Sequence, residues 1–112
     1  MTYKKKILIV DDEPDLCLLL KSYFLKKNYD VVSASTLQEG IAQMKAFTPD
    51  ILFLDNNLPD GIGWSKVESF LQVNPALRLF LMSGYPPTFP NSPSFSYEVL
   101  TKPISFADLE IL

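Results

Sequence analysis

Acidic residues follow apolar runs at two places in this chain. Asp11, Asp12 and Glu13 come straight after Ile7-Leu8-Ile9-Val10, and Asp55 comes straight after Ile51-Leu52-Phe53-Leu54. Two other polar groups stand in the same relation to later apolar stretches, the hydroxyl of Ser83 and the ammonium of Lys102. Carboxylates held close together repel one another and raise each other's pKa unless a cation neutralises them. Hard oxygen ligands at a shallow, hydrated site suit Mg²⁺, which keeps several waters and binds through a few carboxylates plus phosphate oxygens. With such an ion in place, one carboxylate is able to attack a phosphorus atom while an ammonium neutralises another phosphoryl oxygen. Lys102 suits the ammonium role, and Ser83 suits that of a hydroxyl donor near the third oxygen. The product of that chemistry is an acyl phosphate. The chain contains no histidine, which excludes Ser-His-Asp and Cys-His catalysis, His-ligated zinc and an internal phosphohistidine.

The elements that must position these groups are legible from the same pattern. The first apolar run is continuous and β-branched, as expected of a strand buried in a parallel sheet. Pro14 then suits a helix start, and Leu16, Leu19, Leu20, Tyr23 and Phe24 recur at three- and four-residue spacing as far as Lys26-Lys27. Val31-Val32 predicts a short second strand. Thr36-Leu37-Gln38-Glu39 has capping-box form and opens a second helix carrying Ile41 and Met44, which Thr48-Pro49 stops. After Asp55 a turn-rich stretch from Asn56 to Gly63 leads into a third helix with Trp64, Val67, Phe70 and Leu71 on one face, closed by Asn74-Pro75. A fourth strand is expected over Leu77 to Met82 and a fifth around Glu98 to Thr101. Ser105 to Asp108 has the form of another helix start, with Phe106, Leu109 and Leu112 available for packing. Trp64 and the leucines of the first helix read as core.

Strands alternating with helices over short connections imply an α/β fold, a doubly wound five-stranded parallel sheet with helices on both faces. For five strands the flavodoxin-like order 2-1-3-4-5 follows, with ligands at the carboxyl ends of the strands near the switch point between strands 1 and 3. The acids, Ser83 and Lys102 all stand at such strand ends.

Composition narrows the classes. A chain of 112 residues with 47% hydrophobic residues fits one domain, 1–112, with a core of its own. Ten basic against 13 acidic residues give a net charge of −3, and the only basic run is Lys4-Lys5-Lys6, so direct nucleic-acid binding is not expected. The single cysteine, Cys17, has no internal disulfide partner and reads as packing, which favours a cytoplasmic location. No apolar stretch approaches the ~18 residues of a membrane span, and no signal-peptide core is present at the N-terminus.

Taken in order, these features resemble the receiver domain of bacterial two-component response regulators. The matching residues are Ile7 to Val10 followed by Asp11-Asp12, Ile51 to Leu54 followed by Asp55, the spacing from Asp55 to Pro59 with Gly63 four residues on, Ser83 after an apolar strand, and Lys102-Pro103. The resemblance implies Asp55 as phosphoryl acceptor and Asp12 as a direct Mg²⁺ ligand. It also implies Asp11 acting through metal-bound water, the backbone carbonyl of Asn57 as a further ligand, and Ser83 and Lys102 as phosphoryl contacts. It implies a cis Lys102–Pro103 bond, and a phosphohistidine donor on a sensor histidine kinase or histidine phosphotransfer protein. Such a domain is a self-phosphorylating and self-dephosphorylating switch with no external substrate turnover.

Two departures from the family pattern stand out. The segment Gly84 to Ser96 carries Pro86, Pro87, Pro90 and Pro93, so a Pro-rich loop is expected where the family has a helix between strands 4 and 5. Three positions before the lysine, where family members often carry an aromatic residue, stands Val99, with Tyr97 on the same pleat face one step away. Two other readings accompany the switch. One is a receiver-like interaction module that signals by contact without phosphorylation. The other is a haloacid-dehalogenase-type phosphatase, which wants an aspartate two residues after its nucleophile, where Glu13 stands instead.

Overall fold

A computed structural model describes residues 3–84 and 95–110. Five parallel strands form the main sheet: β1 (Lys6–Val10), β2 (Asp30–Ala34), β3 (Ile51–Asp55), β6 (Arg78–Ser83) and β7 (Glu98–Thr101). Their spatial order is β2-β1-β3-β6-β7, the doubly wound order expected from the sequence. Between β3 and β6 lie a small antiparallel hairpin of β4 (Asn57–Leu58) and β5 (Gly61–Ile62), a 3₁₀ turn over Gly63–Lys66, and α3 (Val67–Val73). The other helices are α1 (Pro14–Lys26), α2 (Leu37–Phe47) and α4 (Phe106–Leu109).

Alternation along each strand sorts side chains between two cores. Leu8, Val10, Leu52, Leu54, Leu79 and Leu81 pack with Met44 of α2 and Phe70 of α3 on one face. Ile7, Ile9, Phe53, Phe80 and Met82 pack with Leu20 and Phe24 of α1 and with Leu109 of α4 on the other. Both faces of the central strands are thus covered, which explains why β1 and β3 read as unbroken apolar runs. Phe53 stacks on Phe80 across the strand pair, with ring centroids 4.8 Å apart, adding a directional contact to the apolar burial.

One expectation for α1 is corrected. Its leucines are not all core: Leu20 and Phe24 are buried, but Leu18 is 66% exposed and Leu19 and Leu25 are also exposed. A helix turning every 3.6 residues directs Leu20 and Phe24 inward with Leu16 and Cys17 beside them, so a run of three consecutive leucines cannot share one face. The expected third helix begins with the 3₁₀ turn rather than as α-helix. Tyr97 and Phe95 pack partly buried against the α2–α3 core, while Val99 pairs with Leu81 on the same side of β7. The four prolines of the expected loop, and Leu112, lie outside the described residues. Among the described residues no helix is long and apolar enough to cross a membrane.

Candidate functional site

Strand register builds the site. Val10 of β1 lies beside Leu54 of β3, so the next residue of each strand, Asp11 and Asp55, emerges at the same carboxyl edge. The Asp11 amide donates to the Ala34 carbonyl at 3.0 Å, which extends the β1–β2 ladder and fixes that backbone. Asp55 pairs with Met82 of β6, and Ser83 ends β6 opposite Thr101. The Lys102 amide then donates to the Ser83 carbonyl at 2.8 Å. The ladder delivers the lysine to the edge where the acids stand, and the Lys102–Pro103 bond that follows is cis.

At this edge the Lys102 ammonium lies 2.9 Å from Asp11 Oδ2, 3.1 Å from Asp55 Oδ1 and 3.0 Å from Glu13 Oε1. Asp11 and Asp55 are buried, at 1% and 4% exposure. Burial raises both carboxyl pKa values above the usual carboxylate range. The Asp11 charge raises that of Asp55 further, and Lys102 partly offsets each shift. Desolvation works against the charged ammonium, but its bonds to Asp11, Glu13 and Asp55 outweigh that effect and hold Lys102 above its ordinary value. Asp11 Oδ1 accepts from the Glu13 amide at 2.8 Å, orienting the carboxylate at the entrance to α1.

The donor set fits a small divalent cation. Asp11, Asp12 and Asp55 each place one carboxylate oxygen within 4.8 Å of the others. Asp11 Oδ2 is buried, and the Lys102 ammonium 2.9 Å away is its compensation. Exposed Asp12 opens the cluster to water on one side. An all-oxygen, partly hydrated site of this kind suits Mg²⁺.

Ser83 is buried at the end of β6, beside Lys102 along the ladder. Asn57 is exposed at the start of the hairpin, paired with Ile62. Several residues support the site through contacts that the sequence did not assign to them. Glu13 turns out to be a third partner of Lys102. Asn56 folds the chain back after Asp55: its carbonyl accepts from the Gly63 amide at 2.8 Å, and its side chain accepts from the Trp64 amide at 3.3 Å. The Trp64 indole donates to the Leu54 carbonyl at 3.3 Å. Gly63 sits so close that an added Cβ would lie 1.9 Å from the Asp55 carbonyl oxygen. The Asp55–Gly63 spacing marked this glycine, but no sequence signal showed that it presses on the Asp55 backbone.

Cys17 donates its thiol to the Asp11 carbonyl at 3.3 Å. Burial, with added repulsion from Asp11, pushes that thiol up to about 11, so it is not a thiolate nucleophile at neutral pH.

The response regulator receiver domain family matches residues 7–111. The chain belongs to this family. It is 28% identical over 81 residues to the chemotaxis protein CheY of Thermotoga maritima, covering 71% of this chain and 68% of that one. The transcriptional regulatory protein TrcR of Mycobacterium tuberculosis is 33% identical over 107 residues, covering 93% of this chain and 42% of TrcR. The response regulator PilR of Pseudomonas aeruginosa matches over 97% of this chain but 25% of its own length. The chain therefore spans less than half of these two regulators. Among solved structures, a CheY-like receiver domain from Methanospirillum hungatei JF-1 superposes with a TM-score of 0.83 at 27% identity, covering 97% of this chain and 90% of that one. Receiver domains are signalling switches of two-component systems, bind Mg²⁺ at an acidic pocket, and have histidine kinases or phosphotransfer proteins as their general kind of partner.

Proposed function

We propose that this receiver takes a phosphoryl group onto Asp55 from a phosphohistidine of a sensor kinase or histidine phosphotransfer protein, in a Mg²⁺-dependent step. The observation that carries the reading is the Lys102 ammonium at 3.1 Å from Asp55 Oδ1 and 2.9 Å from Asp11 Oδ2, within reach of the oxygen that would react. Asp12, Asp55 and the Asn57 carbonyl would hold the ion directly, and Asp11 through water. The ion, when bound, supplies positive charge that offsets the phosphoryl oxygens and the clustered acids. Asp55 contributes an oxygen that forms the new O–P bond as the partner's P–N bond breaks. The electron pair of that bond leaves with the imidazole nitrogen, and an acyl phosphate results.

Lys102 exchanges a carboxylate partner for a phosphoryl oxygen, and the Ser83 hydroxyl donates to another. Attack of water on phosphorus later breaks the O–P bond and restores the Asp55 carboxylate. Neither step turns over an external substrate. The added charge shifts the population of conformations at the carboxyl edge of the sheet toward an active form, and partners at that surface read the change.

The test is intact mass after incubation with Mg²⁺ and a small acyl phosphate donor. One phosphoryl adduct on the wild-type chain and none on Asp55→Asn is the expected result. Absence of any adduct under conditions that label an established receiver would leave the interaction-module reading, in which the acidic pocket works by contact alone. Sustained release of phosphate from varied monoesters would point to the phosphatase reading.

A further inference from the structure

The first turn of a helix leaves backbone amides without partners inside the helix. In α2 the Glu39 amide donates to Thr36 Oγ1 at 3.1 Å, the N-cap arrangement that the sequence signalled. The two preceding amides are satisfied from elsewhere in the chain. Leu37 donates to Asp60 Oδ1 at 2.8 Å and Gln38 to Asp60 Oδ2 at 3.0 Å. Asp60 stands at the tip of the β4–β5 hairpin, between Leu58 and Gly61, and this hairpin starts two residues after Asp55. Apolar contact seats it further: Leu58 and Leu37 share one core, and a Cβ on Gly61 would lie 3.1 Å from Leu37 Cδ1. The paired amides hold the Asp60 carboxyl below its usual range, so it is charged at neutral pH and suits the positive end of the helix dipole.

We infer that Asp60 is a positioning residue that locks the hairpin carrying Asn57 onto α2, so that cation occupancy of the acidic pocket and order in the first turn of α2 rise and fall together. The inference rests on the proposed role of Asn57 as a ligand. Asn57 begins the hairpin and Asp60 turns it, and the two β4–β5 pairs, Asn57 with Ile62 and Leu58 with Gly61, tie its two arms together. A cation that fixes the Asn57 carbonyl therefore also fixes where the Asp60 carboxylate stands. Coupling of this kind is reciprocal: whatever the ion adds to the cap, the cap adds to the ion's affinity. The first turn of α2, with Gln38 and Glu39 exposed, thereby becomes a surface that reports the state of a pocket to which it contributes no side chain.

Mg²⁺ titration followed by the fluorescence of Trp64, whose indole is bonded to the Leu54 carbonyl, gives the affinity of the full chain. Amide hydrogen exchange gives the order of α2. Asp60→Ala is expected to weaken Mg²⁺ binding by roughly threefold to thirtyfold, and Asp60→Asn, which keeps one acceptor oxygen, to fall between it and wild type. In the wild type, saturating Mg²⁺ is expected to slow exchange at Leu37 and Gln38. Such first-turn amides exchange through local fraying, which a rise in global stability alone leaves unchanged. Mg²⁺ affinity of Asp60→Ala within twofold of wild type, or exchange at Leu37 and Gln38 indifferent to Mg²⁺, overturns the coupling while leaving the receiver reading in place. A wild-type chain that shows no Mg²⁺ titration overturns the receiver reading first and the coupling with it.

Discussion

Lys102 balances three carboxylates, two of them buried, and the site is poised because its members contribute with opposite sign. Burial and the Asp11 charge both raise the Asp55 carboxyl pKa, so its ionised form is held at a cost. A group whose folded pKa stands above its unfolded value contributes stability that is fully present below the unfolded pKa and is lost as pH rises through the folded one. The ionised Asp55 carboxylate therefore weakens the metal-free fold at neutral pH. Asp55→Asn is expected to raise the metal-free Tm at pH 7, and the gap to wild type is expected to shrink toward pH 4 as the wild-type carboxyl protonates. A gain of about 4–8 °C would correspond to ~1 kcal/mol, and thermal unfolding of both proteins across that pH range checks it. Lys102→Met works in the opposite direction. It strands buried acids without their cation, at a cost of about 3 kcal/mol near neutral pH, and urea titration with and without Mg²⁺ should show the ion restoring part of the loss. Glu13 is the most exposed of the three partners, and its ion pair alone adds little to stability.

The short segment after β3 does more to shape the site than its length suggests. Asn56 and Gly63 close the chain back on the Asp55 carbonyl, and the added methyl of Gly63→Ala meets backbone rather than a yielding side chain. That substitution is expected to cost about 3 kcal/mol and to alter Trp64 emission, read by equilibrium unfolding and fluorescence on the same samples. The sequence flagged this stretch as turns but did not reveal a hairpin, because two-residue strands carry no periodicity to detect. Asp60 was equally hidden: a Pro-Asp-Gly run signals a turn, and nothing in it points to an amide 23 residues earlier. By contrast β1, β3 and the start of α2 were legible, since unbroken apolar runs and a capping box are local signals with local causes. In α1 the period found Leu20 and Phe24, but reading all of its leucines as core was too generous. Leu20→Ala is accordingly expected to cost about 2–5 kcal/mol, and Leu18→Ala on the exposed face to stay within about 0.5 kcal/mol of wild type, as measured by denaturant midpoints.

Across the whole molecule, the candidate site exists only when the sheet is complete. Its groups come from the ends of β1, β3, β6 and β7, which lie up to 91 positions apart in the chain between Asp11 and Lys102 and become neighbours through strand order alone. That order could be argued from the sequence because alternating strands and helices admit few topologies, whereas the triple clamp on Lys102 depends on side-chain geometry that no spacing encodes. A ligand that needs the assembled edge binds the folded chain and not the unfolded one, so its binding energy appears as folding stability. Each tenfold rise in Mg²⁺ above its dissociation constant should then add about 1.4 kcal/mol. The informative place to look is β2, which pairs with β1 and supplies no side chain to the acidic cluster. If the two cores and the sheet unfold as one unit, the slowest amides of β2 gain the same protection from Mg²⁺ as those of β3. If the ion steadies only the edge where it binds, β3 gains and β2 does not. Hydrogen exchange measured at several Mg²⁺ concentrations separates these outcomes, and equal increments in the two strands are expected because β1, buried on both faces, ties β2 to β3 along its length.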